Sequence, residues 1–115
     1  MNTATKPRVT PEQYLEIERA ASVRSEFWNG DLFALAGASV THGVITGNIL
    51  AGLHVRLRDK PCRVFPSDLK VLVAPTGLFA YPDVVVVCGK PEYLNGARNV
   101  VKNPVLVVEV LSPST

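Results

Sequence analysis

The sequence predicts an α/β (α+β) domain in which an N-terminal helix and a β-hairpin precede a helix-flanked sheet. Three observations carry that reading. An Asn29-Gly30 pair sits between aromatic and apolar residues. Apolar residues recur every four positions over 40–58, and the runs 83–88 and 105–111 are apolar without alternation. The 115 residues are 47% hydrophobic and 19% charged, which suits one packed domain and excludes a disordered tail.

Taken in order, residues 1–9 are polar and expected to be mobile. Thr10-Pro11-Glu12-Gln13 then reads as a helix start: Thr10 caps, Pro11 suits the first helical position, and Gln13 completes a capping box. Tyr14, Leu15 and Ile17 give that helix an apolar side. Asn29-Gly30 marks a hairpin over 25–36, because both central residues of a type I′ turn need positive φ. Ile45, Ile49, Leu53 and Leu57 place a helix over 40–58, with Ser39 or Thr41 as its cap. Gly43, Gly47 and Gly52 weaken it by about 1 kcal/mol each, and their spacing would admit a close neighbour. Segments 63–65 and 69–74 read as one broken strand, followed by a turn at 75–77. Runs 83–88 and 105–111 are expected to be central, covered strands, joined by a polar loop over 89–103.

Bulk properties exclude more than they assign. A net charge of +2 and a pI of 8.7 are compatible with a nucleic-acid partner without arguing for one, since the basic residues read as scattered. The two cysteines, Cys62 and Cys88, sit among apolar residues and read as reduced core thiols. Residues 1–6 lack the apolar stretch of a signal peptide and no apolar run reaches the roughly 18 residues a membrane span needs, so a cytoplasmic protein without membrane contact is expected. Ser112-Pro113-Ser114-Thr115 has the composition that precedes a helix, and a single domain, 1–115, lacking its C-terminal part is expected.

Two acids interrupt the apolar strands. Glu109 shares a face with Val105 and Val107 by period-two alternation, and Asp83 opens the other run after Pro82. A buried carboxylate has to be paired, protonated or metal-bound. Antiparallel strands would bring the start of one beside the end of the other, and both acids within reach of one ion. Parallel strands would separate them by roughly 16 Å. Two acids with carbonyls and water suit magnesium or manganese. The alternative pairs Glu109 with an arginine such as Arg63 and leaves Asp83 capping a turn.

Other candidates weigh less. Asp68-x-Lys70 imitates an acid–x–lysine nuclease signature, but pairing of its strand with 83–88 would put Asp68 far from Asp83, in a structural role. His42 and His54 are too far apart on one helix to ligate together. His42, near the helix start, and Glu26, on the hairpin, remain open as site residues. Nothing brings Cys88 to His42, and there is neither a Gly-rich phosphate loop nor a CxxC.

The segments Tyr81-Pro82-Asp83-Val84-Val85-Val86-Val87-Cys88 and Asn103-Pro104-Val105 through Glu109-Val110-Leu111-Ser112-Pro113-Ser114-Thr115 resemble the Uma-two family of restriction-endonuclease-like proteins. So do Glu26-Phe27-Trp28-Asn29-Gly30, Ala36-Gly37-Ala38-Ser39 and His42-Gly43-Val44-Ile45. The resemblance implies the PD-(D/E)XK nuclease superfamily, whose core is a mixed sheet flanked by helices in the order αβββαβ. Helix 40–58 would be its first core helix. Asp83 and Glu109 would be the catalytic, metal-binding acids of a magnesium-dependent (or manganese-dependent) endonuclease acting on DNA. Leu111 stands where the superfamily lysine would be, and the family's displaced lysine would lie beyond Thr115. A homodimer through the sheet would cover its open edge. The rivals are a non-catalytic remnant that binds nucleic acid or oligomerises, and a structural fragment without an independent fold.

Overall fold

The structure, a computed structural model, describes residues 8–95 and 97–111. The segments 1–7 and Ser112-Pro113-Ser114-Thr115 lie outside the described residues. Helix α1, Pro11–Ala20, starts as its sequence dictates. Thr10 Oγ1 accepts from Gln13 N and Gln13 Oε1 accepts from Thr10 N, closing the capping box behind Pro11. The hairpin follows as β1, Ser25–Trp28, and β2, Asp31–Ala34, in antiparallel register. Asn29 at φ 51° and Gly30 at φ 88° supply the two positive φ values of the turn.

Helix α2, Val40–Leu57, is capped by Ser39, which accepts from His42 N. It lies against β3, Cys62–Pro66, and β6, Val84–Cys88. None of its residues is fully buried, and Val40, Val44, Ile45 and Val55 are exposed. No described atom lies within 4 Å of a Cβ added at Gly43, Gly47 or Gly52. The expected close neighbour is therefore not at those glycines.

Two sheets form. The order β2-β1-β5-β4-β8-β7 makes a mixed six-stranded sheet, using β4, Lys70–Val73, β5, Leu78–Ala80, β7, Tyr93–Leu94, and β8, Ala97–Val101. Its one parallel pair is β4 with β8. The second sheet is β3-β6-β9, all antiparallel, with β9 at Leu106–Val108. The expected broken strand is thus two strands in different sheets, since β3 pairs with β6 while β4 pairs with β5 and β8. The expected loop over 89–103 contains β7 and β8. Run 105–111 yields only the short edge strand β9, with Val105, Leu106 and Val107 exposed.

The core has two parts. Tyr14 of α1 is fully buried, stacks on Phe27 with centroids 4.9 Å apart and meets Phe79 at 5.3 Å, with Val100 completing the cluster. Val71 and Val101 of the large sheet pack on Val85 and Val87 of β6, which joins the two sheets. Strand β6 is the covered central strand its composition foretold, Val84 to Val87 being buried.

The cysteines are not reduced thiols. The β3–β6 register sets Cys62 opposite Cys88, and the two are joined in a disulfide. Residue spacing along the chain carries no trace of that cross-strand pairing.

Candidate active site

Register places the acids. Val84 pairs with Val108 in the antiparallel β6–β9 ladder, so one step further out Asp83 lies beside Glu109. The antiparallel alternative read from the sequence is the one adopted. Pro82 is buried immediately before Asp83 and holds the chain extended as it enters β6.

Asp83 is held from two sides. His42 Nε2, from the first turns of α2, lies 3.1 Å from Asp83 Oδ2, and the Val110 N–H donates to the same oxygen at 2.7 Å. Both side chains are largely buried, with 14% of His42 and 17% of Asp83 exposed. Two contacts therefore converge on Oδ2 and hold the carboxylate in place.

Glu26 joins from the hairpin. Its Oε2 accepts from the Tyr81 N–H at 3.0 Å, a donor beyond the single β1–β5 pair Phe27–Phe79. Glu26, His42, Gly43, Gly47, Asp83 and Glu109 line one cleft of about 780 Å3. Glu109 faces that cleft, and its carboxyl is pushed up from 4.5 to about 7. Loss of hydration among the surrounding groups is the main cause, followed by the negative charges of Asp83 and Glu26. The cleft's arginine does not offset them freely. Arg24 pairs with Asp68 at 3.2 Å, donates to the Ser67 carbonyl at 2.8 Å and lies 5.1 Å from the Tyr81 ring centroid.

Sequence reading and structure can now be compared residue by residue. Asp83 and Glu109 come together, and the open candidates His42 and Glu26 join them. Asp68 does not line the cleft: it is an exposed partner of Arg24, and the pairing expected of its strand with 83–88 does not form, because β4 lies in the other sheet. The Arg63 pairing of Glu109 does not occur among the described ion pairs. Val110 N–H, Tyr81 N–H and Thr46 were missed. Thr46 Oγ1 is buried at the cleft wall with no hydrogen-bond partner among the described residues. Its position four residues after His42 on one helix face was the available signal.

A divalent ion fits this donor set in a restricted way. Among the described residues no group of three or more His, Cys, Asp or Glu side chains is arranged to hold a metal ion. A closed zinc-type cage is therefore not what these residues make. Asp83 and Glu109 offer two carboxylates, and magnesium commonly takes one or two with water completing its shell. The raised Glu109 carboxyl reflects burial and the crowding of Asp83 and Glu26, a repulsion that a cation would relieve.

Comparison with known proteins identifies the family and the fold. Residues 11–115 match the Uma2 family, described as "Putative restriction endonuclease". The chain belongs to the Uma2 family. Two relatives come from Synechocystis sp. "Uncharacterized protein sll1609" is 35% identical over 99% of this chain and 64% of its own length. "Uncharacterized protein slr1290" is 34% identical over 98% of this chain and 58% of its own. The fold matches a crystal structure of "a putative nuclease belonging to DUF820" from Anabaena variabilis. Its TM-score is 0.73 at 16% identity, over 93% of this chain and 60% of that one. The chain thus spans about three-fifths of the length of these relatives. No helix among the described residues is long and apolar enough to cross a membrane.

Proposed function

We propose that this domain carries the acidic centre of a metal-dependent DNA endonuclease, with Asp83 and Glu109 as the magnesium or manganese ligands. The observation that carries the reading is the β6–β9 register, which sets the two carboxylates side by side in one cleft beside His42. A divalent cation bound there would supply Lewis-acid polarisation of the phosphate and a water acidic enough to deprotonate near neutral pH.

The chain's own residues do the rest. Asp83 spends Oδ2 on His42 and the Val110 N–H, so Oδ1 is the oxygen left for an ion. Glu109, its carboxyl pushed up to about 7 by burial and by Asp83 and Glu26, is partly protonated near neutral pH without an ion, and a bound cation would favour its charged form. Glu26 pins the Tyr81 backbone and thereby the approach of the chain to Asp83. Thr46 Oγ1 is buried behind the wall without a hydrogen-bond partner among the described residues.

Cleavage of a supercoiled plasmid in manganese tests the reading. Wild type is expected to nick or linearise it, and Asp83→Asn and Glu109→Gln to lose at least 100-fold of that rate, within the range usual for groups that stabilise a transition state. Full activity in either variant would refute the assignment. A second reading, nucleic-acid binding without cleavage, is favoured by Leu111 at the lysine position and by the engagement of Arg24 with Asp68. It expects DNA binding with no cleavage in any divalent metal.

A further inference from the structure

Helix α2 presents different surfaces at its two ends. Its first turns line the acid-walled cleft through His42, Gly43 and Gly47. Its last turn and the chain beyond it wall a separate hollow of about 570 Å3, lined by His54, Arg58, Lys60 and Arg63. No Asp or Glu is among the described residues lining it. Arg58, Lys60 and Arg63 are exposed, and the ion pairs among the described residues involve none of them. Basic residues that read as scattered along the sequence are therefore concentrated here.

The hollow is a fixed feature. Cys62 in its wall is bonded to Cys88, the Gly89 N–H donates to the Pro61 carbonyl at 2.6 Å, and Lys60 N donates to the Leu57 carbonyl. These bonds clamp the 57–63 turn against the end of β6, so its cations are presented together. Three cations within six residues, offset only in part by the exposed Asp59 between Arg58 and Lys60, favour an extended anion. The acidic cleft provides less of that attraction, because Glu26 and Asp83 line it and its Arg24 is paired with Asp68.

We propose that the basic hollow formed by His54, Arg58, Lys60 and Arg63 docks the phosphodiester backbone of the polynucleotide cut at the acidic cleft. The proposal rests on the nuclease reading and adds a binding surface to it. From His42 to His54 and Arg58 the axis of α2 advances about 18–24 Å at 1.5 Å per residue. A duplex laid along the helix exposes one phosphate per strand every 3.4 Å or so, which puts the contacted phosphates about 5–7 base pairs from the cleft. Three cations on the backbone make binding strongly salt-dependent, while contributing no sequence preference.

Fluorescence anisotropy of a labelled DNA duplex spanning both surfaces, titrated between about 50 and 200 mM salt, tests this. Replacing Arg58, Lys60 and Arg63 together by alanine is expected to lower the slope of log K against log salt by about 2.7, or 0.9 per lost contact. It should also weaken binding at low salt by at least tenfold. The variant Arg58→Lys, Lys60→Arg, Arg63→Lys keeps the charges and should keep the slope. An unchanged slope in the alanine variant overturns the proposal, and so does a slope lost in the charge-preserving one. The same titration on duplex RNA separates the sources of the phosphodiester. Loss on both supports a backbone-docking surface, and loss on RNA alone overturns the link to DNA. Tighter binding to phosphatidylserine vesicles than to duplex also overturns it. Failure of the nuclease reading is distinguishable. Absence of cleavage with the salt slope still dependent on these cations refutes only the catalysis. Wild-type cleavage with an unchanged slope in the alanine variant refutes only the docking surface.

Discussion

Reduction of the Cys62–Cys88 bridge is expected to remove about 3.5 kcal/mol of stability. The bridge closes a loop with a sequence separation of 26 residues. In the chain-entropy model that loop restricts the unfolded ensemble by about 12 cal/mol/K, or about 3.5 kcal/mol at 25 °C. A domain of 115 residues unfolds with an entropy of about 0.24 kcal/mol/K, so the midpoint should fall by about 15 °C. Unfolding followed by circular dichroism with and without reductant measures it, and the double variant Cys62→Ser, Cys88→Ser controls for reductant. Reductant should lower the midpoint of wild type and leave the double variant unchanged. Detection of two reactive thiols in the native oxidised protein would refute the pairing. An unchanged midpoint on verified reduction would refute the loop-entropy reasoning.

Three further outcomes follow from other parts of the molecule. Gly52→Ala, in the interior of α2 with open space at its Cβ position, should stabilise by about 0.5–1 kcal/mol in urea unfolding, because alanine restricts the unfolded chain and clashes with nothing described. Lys70 is almost fully buried, with its ammonium 5.1 Å from the Tyr14 ring and its pKa lowered, chiefly by loss of hydration. The folded state therefore holds that proton less tightly than the unfolded chain, and Lys70→Met should leave stability at neutral pH unchanged or raised. A large loss of stability would show that the lysine has a partner that matters. Glu109 gives a pH signature. Its folded carboxyl titrates near 7 rather than 4.5, so its contribution to metal-free stability is present below about pH 4.5 and lost as pH rises through 7. Glu109→Gln should flatten that part of the stability–pH curve, read by denaturant unfolding at several pH values.

Local chemistry was legible in the sequence and long-range pairing mostly was not. The Thr10–Gln13 box, the Asn29-Gly30 turn and the period of α2 each depend on neighbours within a few residues, and each formed where the sequence placed it. The apolar run of β6 announced a central strand because both its faces are covered. Alternation does not name a partner, however, so it could not show that β3 and β4 separate into two sheets, or that 89–103 contains β7 and β8. Nor could it show that Cys62 faces Cys88. The apolar character of 105–111 was misleading in part, because β9 is an exposed edge among the described strands. At the candidate site, an antiparallel pairing was enough to bring Asp83 to Glu109. Glu26 and His42 stayed open because their contacts, to Tyr81 and Asp83, cross 55 and 41 residues of chain.

The central claim is that Asp83 and Glu109 together hold a divalent cation. Thermal unfolding of wild type and Asp83→Asn, each with and without manganese or magnesium, tests it directly. At an ion concentration about a hundred times the dissociation constant, binding to the folded state adds about 2.7 kcal/mol, a rise of about 11 °C in a domain of this size. Wild type should show that rise and Asp83→Asn should not. The absence of a shift in wild type, or an equal shift in both proteins, would contradict the assignment.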